Sequence, residues 1–252
     1  MKEYAAKHIG EFTHAIVAIS RDFDDAKPWW RGHSNIGWQL VPSLYRKGMS
    51  AKESNLNTRF RMMAKARHAS CPTGDAPYPW LFLMQHYHLP TRLLDWSESP
   101  LVALYFALEA DVDEPSDAAV WALHPSRLNL QQLGEEKICS YGSREVLHLG
   151  KEAFVPNRKQ PDTKILSLIA EQSDPRHMAQ QCAFTVHGSD SSIKDLPKAD
   201  NYLARIRIPK EAKKGFRQTL SLFGISRATL FPDLENLATE LSATNFSEPG
   251  KQ

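Results

Sequence analysis

Between Gln85 and Leu108 the chain reads QHYHLPTRLLDWSESPLVALYFAL, a dense run of polar side chains leading into a segment that is apolar nearly all round. Leu101, Leu104, Tyr105 and Leu108 recur at i, i+3, i+4 and i+7, and Val102, Ala103, Phe106 and Ala107 fill most of the remaining circumference. That period predicts a helix covered on both sides. Ser99–Pro100 predicts its start, because a serine oxygen can accept an orphan N–H and proline has none to lose. The rest of the fold must therefore be arranged around this helix. Gln85, His86, His88, Thr91, Arg92, Asp95, Trp96 and Ser97 lie ahead of its positive end, where backbone donors and dipole favour an anionic ligand group. Two readings of that set stand: struts between a strand and a helix, built from Arg–Asp pairs and Trp–Ser hydrogen bonds, or a binding site.

With 252 residues and 42% hydrophobic content, the chain can bury one good core, which predicts a single domain over 1–252, with its centre at about 29–240 and a flexible tail at 246–252. A formal charge of +2 does not demand a polyanionic partner, although 52–67 and 194–217 are locally basic. Cys71, Cys139 and Cys182 are odd in number and widely spaced, which indicates neither a disulfide framework nor a zinc knuckle. The amino terminus lacks the apolar core of a signal peptide, and no apolar run is long enough to span a membrane. The expectation is a soluble, cytoplasmic protein with no membrane partner.

Periodicity places the other elements. Helices are expected at 10–21, 52–69, 78–86, 126–133, near 143–148, at 210–223 and from Pro232. Strands are expected at WWRGH, at Thr91–Leu94, in the continuous apolar run Ala118–Leu123, at Cys182–Val186, and at Leu203–Ile208, where Ala204, Ile206 and Ile208 share one face. Lys164–Glu171 fits helix or strand. Strands and helices mix without βαβ regularity, so the fold class is α+β. WWRGHS sets an arginine inside an apolar strand. Arg31 must therefore meet a carboxylate such as Asp95 or face an anionic ligand, and Gly32 beside it allows a ligand or a second backbone to approach.

The segments WWRGHSNIGWQLVPSLYR, WLFLMQHYHLPTRLLDWSESPLVALYFA, AQQCAFTVHG and ISRATLFPDLENLA resemble the FRG domain family, named for an aromatic–Arg–Gly motif. The resemblance runs from Trp29 to about Ala238, with His88 and Cys182 standing where the family usually has glycine. It implies a family found in bacteria and phages, in toxin-like and antiviral defence settings. The order of features is also similar to that of ADP-ribosyltransferases. That similarity implies a small split, mostly antiparallel sheet wrapped by helices, and NAD as substrate. Arg31 would then be the anion clamp, Ser97 the group orienting ribose, and Gln180 on a later strand would complete the site. Gly32, His33, Gln85, His86, Thr91, Arg92, Asp95 and Trp96 would surround the dinucleotide, with Trp96 as an aromatic wall for nicotinamide. The resemblance further implies an acceptor, protein or nucleic acid, and a partner that neutralises a toxic activity. A clear E-x-E or Q-x-E is missing, and Glu171 cannot be placed there by motif.

Other classes remain. A non-catalytic nucleotide- or nucleic-acid-binding module would use Arg59, Arg61 and Lys65 with Trp29, Trp30 and Trp38 as stacking surfaces, although tryptophans beside strands are more often core. Metal-assisted hydrolysis would draw on His33, His86, His88 and Asp95, but His86-x-His88 lacks the i, i+4 spacing that sets two imidazoles on one helix face. A nucleophilic Cys182 is disfavoured by its apolar strand, which keeps a thiol protonated.

Overall fold

The computed structural model describes residues 1–109, 115–156, 161–170 and 174–243. Its strands are β1 (Lys2–Ala5), β2 (Trp29–His33), β3 (Leu93–Ser97), β4 (Ala118–Leu123), β5 (Cys139–Ser140), β6 (Ile165–Ile169), β7 (Cys182–His187) and β8 (Leu203–Ile208). They form one mixed sheet in the order β1-β8-β4-β2-β3-β7-β6-β5, antiparallel except for the outer pairs β1–β8 and β5–β6. The architecture is α+β. The helices are α1 (Ile9–Asp22), α2 (Ser43–Arg46), α3 (Glu53–Ala64), α4 (Pro77–His86), α5 (Pro100–Leu108), α6 (Pro125–Leu133), α7 (Arg144–Glu152), α8 (Pro175–Gln180), α9 (Lys213–Leu222), α10 (Arg227–Leu230) and α11 (Leu234–Ala243).

Burial follows the sequence pattern. Every residue of β4 is buried, as a strand covered on both faces requires. In β8, Arg207 points to solvent between the buried Ile206 and Ile208. On one face of the sheet, α1, α5 and α9 pack Phe12, Leu104, Ala107 and Phe216 against Trp30, Val120 and Ile206. On the same face, over β3, β6 and β7, α4 and α7 pack Tyr78, Trp80 and Leu149 against Leu93, Leu166 and Phe184. The opposite face buries Trp29, Leu94, Trp96, Trp121 and Leu123 under α6 and the loops around Leu40 and Ile193.

The two clusters on the shared face are separated at β2 and β3. Those strands pair at one register position, Trp30↔Ser97, whereas β2–β4 and β3–β7 each pair along five. Beyond Trp30 the ladder opens. On its other side β2 is held by α5. A Cβ on Gly32 would lie 2.0 Å from the Ala103 carbonyl oxygen and 2.4 Å from the Ala107 nitrogen. The glycine thus admits a second backbone, one of the two roles its position suggested.

Several local expectations shift. Strand β3 begins at Leu93, so Thr91 and Arg92 precede it. The helix expected over 52–69 ends at Ala64, and Lys164–Glu171 is strand up to Ile169, with Glu171 outside the described residues, as is the 246–252 tail. The polar edge strand β1 and the short helix α8 carry too few residues to show a period. Gln180 consequently ends a helix instead of lying on a strand.

Arg92, expected among the dinucleotide contacts, is fully buried elsewhere. Its Nε and Nη2 donate to the Glu53 carboxylate at 2.7 and 2.6 Å, and Nη1 donates to the Leu149 carbonyl at 2.9 Å, with Glu152 3.6 Å away. Burial opposes its charge, but hydrogen bonds and charge from Glu53, together with Glu152, raise its pKa further. The arginine binds the start of β3 to α3 and α7. Arg92→Met, which strands the Glu53 charge, is expected to destabilise the fold by about 3–5 kcal/mol in urea melts. The double variant Arg92→Met with Glu53→Leu should recover part of that loss, because it removes the close ion pair and leaves only Glu152, which retains His148 as a partner.

Candidate functional site

Where β2 and β3 diverge, a cavity of about 400 Å³ opens between α4, α5, α2 and α8. Arg31 reaches into the gap. Extending the Trp30↔Ser97 register would set Gly32 opposite Asp95, yet the Asp95 carbonyl accepts from Arg31 Nη1 at 2.5 Å. A guanidinium therefore replaces ladder hydrogen bonds at the point where the sheet parts. Its Nε donates to His33 Nε2 at 3.1 Å, and the Asp95 carboxylate lies 4.0 Å from Nη1. Burial pulls Arg31 down to about 10; Asp95 opposes this shift and Arg46 adds to it. The group remains cationic at neutral pH.

Asp95 is oriented by a relay. Thr91 Oγ1 donates to Gln85 Oε1 at 2.5 Å, and Gln85 Nε2 donates to Asp95 Oδ2 at 2.8 Å. Thr91 also accepts from the Leu93 N–H at 3.1 Å, which fixes the hydroxyl at the entry to β3. Thr91 is buried behind the cavity, whereas Gln85 and Asp95 line it. Three further cations, Arg46, Lys47 and Arg176, line the same space with His86, His88 and His177. Arg176 is steadied by the Phe231 ring, 4.6 Å from its guanidinium carbon, and donates to the His86 carbonyl at 3.3 Å. The net effect is a positive, partly desolvated cleft with one oriented carboxylate, suited to an anionic small molecule bearing hydroxyl groups.

The structure brings Arg31, Gly32, Gln85, His86, Asp95, Ser97 and Gln180 to this cavity. Ser97 and Gln180 have their polar groups tied to the main chain. Ser97 Oγ donates to the Gln180 carbonyl at 2.7 Å and accepts from Ser99 N at 3.0 Å; Gln180 Nε2 donates to the Leu230 carbonyl at 3.0 Å. They tie the end of β3 to α8 and α8 to α10. Trp96 borders the cavity, but its ring packs in the core on the opposite face from Asp95 and donates its N–H to Thr185 Oγ1 at 3.1 Å. It is therefore not an aromatic wall. His33 is buried beside Trp38 and Trp121 and acts on the cavity through Arg31 alone. The cleft meets α5 at Ala103 and Phe106, along its flank and not at its amino terminus. His88 adopts φ +60, which accounts for the glycine usual at that position.

Arg46, Lys47, Arg176 and His177 were not singled out from the sequence. Arg46 ends the same segment that begins with Trp29–Trp30–Arg31, the one signal available for it. Several cations of the basic stretches are engaged within the fold. Arg61 pairs with Asp75 and lies over the Trp80 ring, Arg205 pairs with Glu3, and Arg217 and the buried Lys213 donate to main-chain carbonyls. Trp29 and Trp30 are core residues. Among the described residues no group of three or more His, Cys, Asp and Glu side chains is arranged to hold a metal ion. Burial pushes the Cys182 thiol well above its ordinary range.

Residues 26–116 match the family model described as FRG domain. No curated protein and no solved structure matches the chain. The matched stretch supplies the cavity from Trp30 to Phe106, while Arg176, His177, Gln180 and Cys182 come from beyond it.

Two buried histidines around the gap set a pH dependence. Burial, reinforced by Arg31, holds His33 down to about 2 and His187 down to about 3. An unfolded histidine titrates near 6.5, so below that pH the unfolded chain binds protons that the fold refuses. Their contribution to stability is complete above pH 6.5 and is lost progressively as pH falls toward 3. Denaturant melts between pH 7 and 5 should show a loss approaching about 1.4 kcal/mol per pH unit for each histidine. His187→Gln should flatten that slope.

Proposed function

Starting from a chain that carries an FRG domain over residues 26–116, we propose that the cleft between β2 and β3 binds NAD and that the domain breaks its nicotinamide–ribose bond, transferring ADP-ribose to an acceptor or to water. The observation that carries this reading is the parted sheet with Arg31 inside it and Arg46, Lys47 and Arg176 around it. Four cations in a partly dry cleft suit a diphosphate. Breaking the bond leaves a cation-like ribose while nicotinamide departs with the electron pair, so a negative group must stand nearby. Asp95, steered by Gln85 and Thr91, is the carboxylate that the cleft offers. Phe106, half-buried on the wall, offers a ring face for nicotinamide.

In this reading Arg31 is the anion clamp, and the ribose-orienting role falls to Asp95, which Gln85 holds in place, since the Ser97 proton and the Gln180 amide are already bound. The reading also takes the divided sheet as the core of an ADP-ribosyltransferase-like fold. A toxin or antiphage role, with a neutralising partner, would follow from an acceptor inside the cell.

Wild-type protein incubated with labelled NAD, with and without lysate, nucleotides and nucleic acid, should release nicotinamide. Arg31→Ala should lower release by about 10²-fold or more. Silence from folded wild-type protein in every mixture, or undiminished release by Arg31→Ala, would overturn the reading and favour a non-catalytic binding module.

A further inference from the structure

A second cavity, of about 300 Å³, adjoins the first. Its lining is largely aromatic and apolar, with Phe82, Tyr87, Tyr141 and Leu83, and it shares two residues with the cationic cleft, His86 and His177. The wall between the two spaces is thus a pair of imidazoles. One carboxylate faces both: Asp174 Oδ2 lies 3.5 Å from His86 Nδ1 and 3.3 Å from His177 Nδ1. Its other oxygen is fixed, because Oδ1 accepts the backbone N–H groups of Arg176 and His177 at 2.8 and 3.0 Å as the N-cap of α8. Asp174 therefore cannot turn away from the imidazoles without uncapping the helix.

We infer that His86, oriented by Asp174, is the proton acceptor for the group that attacks the ribose, and that this group enters through the second cavity. The inference rests on the NAD reading above. It adds a base, which the cationic cleft otherwise lacks. Asp95 is engaged by Gln85 and faces Arg31; His88 is exposed, with no carboxylate beside it among the described residues; and the Cys182 thiol holds its proton. His177 lies slightly closer to Asp174 but is more deeply buried than His86, which leaves His86 the imidazole more open to an entering group.

The step balances without a co-reactant. The C1′–nitrogen bond of NAD breaks and neutral nicotinamide leaves with its electron pair. An acceptor O–H, from water or a hydroxyl side chain admitted by the second cavity, forms the new C1′–oxygen bond. Its proton passes to Nε2 of His86, whose Nδ1–H is directed at Asp174; the imidazolium so formed is stabilised by that carboxylate, as a histidine–carboxylate pair requires. A separation of 3.5 Å is long for the resting pair, and such contacts tighten when substrate is bound. A base must be neutral at rest. Burial lowers the His86 pKa, Asp174 opposes the shift, and Arg176 and His177 add to it; the Tyr87 ring packs edge-on against the imidazole.

The test compares nicotinamide release and label transfer by wild type, His86→Gln, His86→Ala, Asp174→Asn and Asp174→Glu, with NAD affinity measured by calorimetry and folding by thermal melts. His86→Gln is expected to bind NAD within about threefold of wild type but to lose about 10²–10⁴-fold in kcat. The acidic limb of the wild-type pH profile, which falls as His86 takes up a proton, should disappear from the residual rate. His86→Ala should recover part of its rate with added imidazole. Asp174 is a positioning residue: Asp174→Asn should shift the limb and lower kcat at unchanged KM, and Asp174→Glu should restore part of both. A folded His86→Gln protein that keeps the wild-type rate and pH profile overturns the base assignment alone. Absence of release from wild type overturns the NAD reading, and this inference with it.

Discussion

The arrangement depends on how closely α5 sits on β2. The helix backbone occupies the space that a side chain at residue 32 would need, with the Ala103 carbonyl and the Ala107 nitrogen both inside van der Waals distance of a Cβ. Glycine meets that requirement without a cavity or a strained rotamer. Once α5 is fixed there, β2 belongs to the half of the sheet that packs with α1, α5 and α9, and β3 to the half that packs with α4 and α7. The halves share one register pair, and the space between them is lined by what each strand presents at the seam.

Arg31 makes that seam tenable. A parted ladder leaves main-chain groups without partners, which is costly in a buried setting. The guanidinium takes up the Asp95 carbonyl, and the His33 ring receives its Nε proton. A charge held by a carbonyl, a neutral imidazole and a carboxylate 4.0 Å away is satisfied without being neutralised by a close pair. That leaves a positive field in the cleft, strengthened by Arg46, Lys47 and Arg176. Arg92 shows the opposite outcome. Paired bidentately with Glu53 and close to Glu152, its charge is spent inside the core and adds nothing to the cleft.

The two arginines mark what local sequence could and could not reveal. Both stand in apolar surroundings next to recognisable motifs, and both looked like candidates for an anion. Their destinies differ because Glu53 lies 39 residues before Arg92, and no period in the sequence connects them. The same holds for Arg176, whose orientation depends on Phe231, and for Asp174, whose effect on His86 spans α4 to α8. Ser97 and Gln180 both line the cleft. What the residues do there was not legible, because their polar atoms are taken by Ser99, by each other and by Leu230.

By itself the sequence determined the elements that carry a strong period or a cap. The helix after Ser99–Pro100, the buried strand Ala118–Leu123, the alternating strand Leu203–Ile208 and the polar run from Gln85 to Ser97 all follow from spacing and local chemistry. It also carried the stretch, residues 26–116, that matches the FRG domain model. Tertiary structure alone decided which strands meet, where the sheet parts, and which charges are consumed in pairs. Those outcomes depend on contacts between residues far apart in the chain, made when two hydrophobic clusters pack side by side on one sheet, and periodicity records only what neighbours along the chain require.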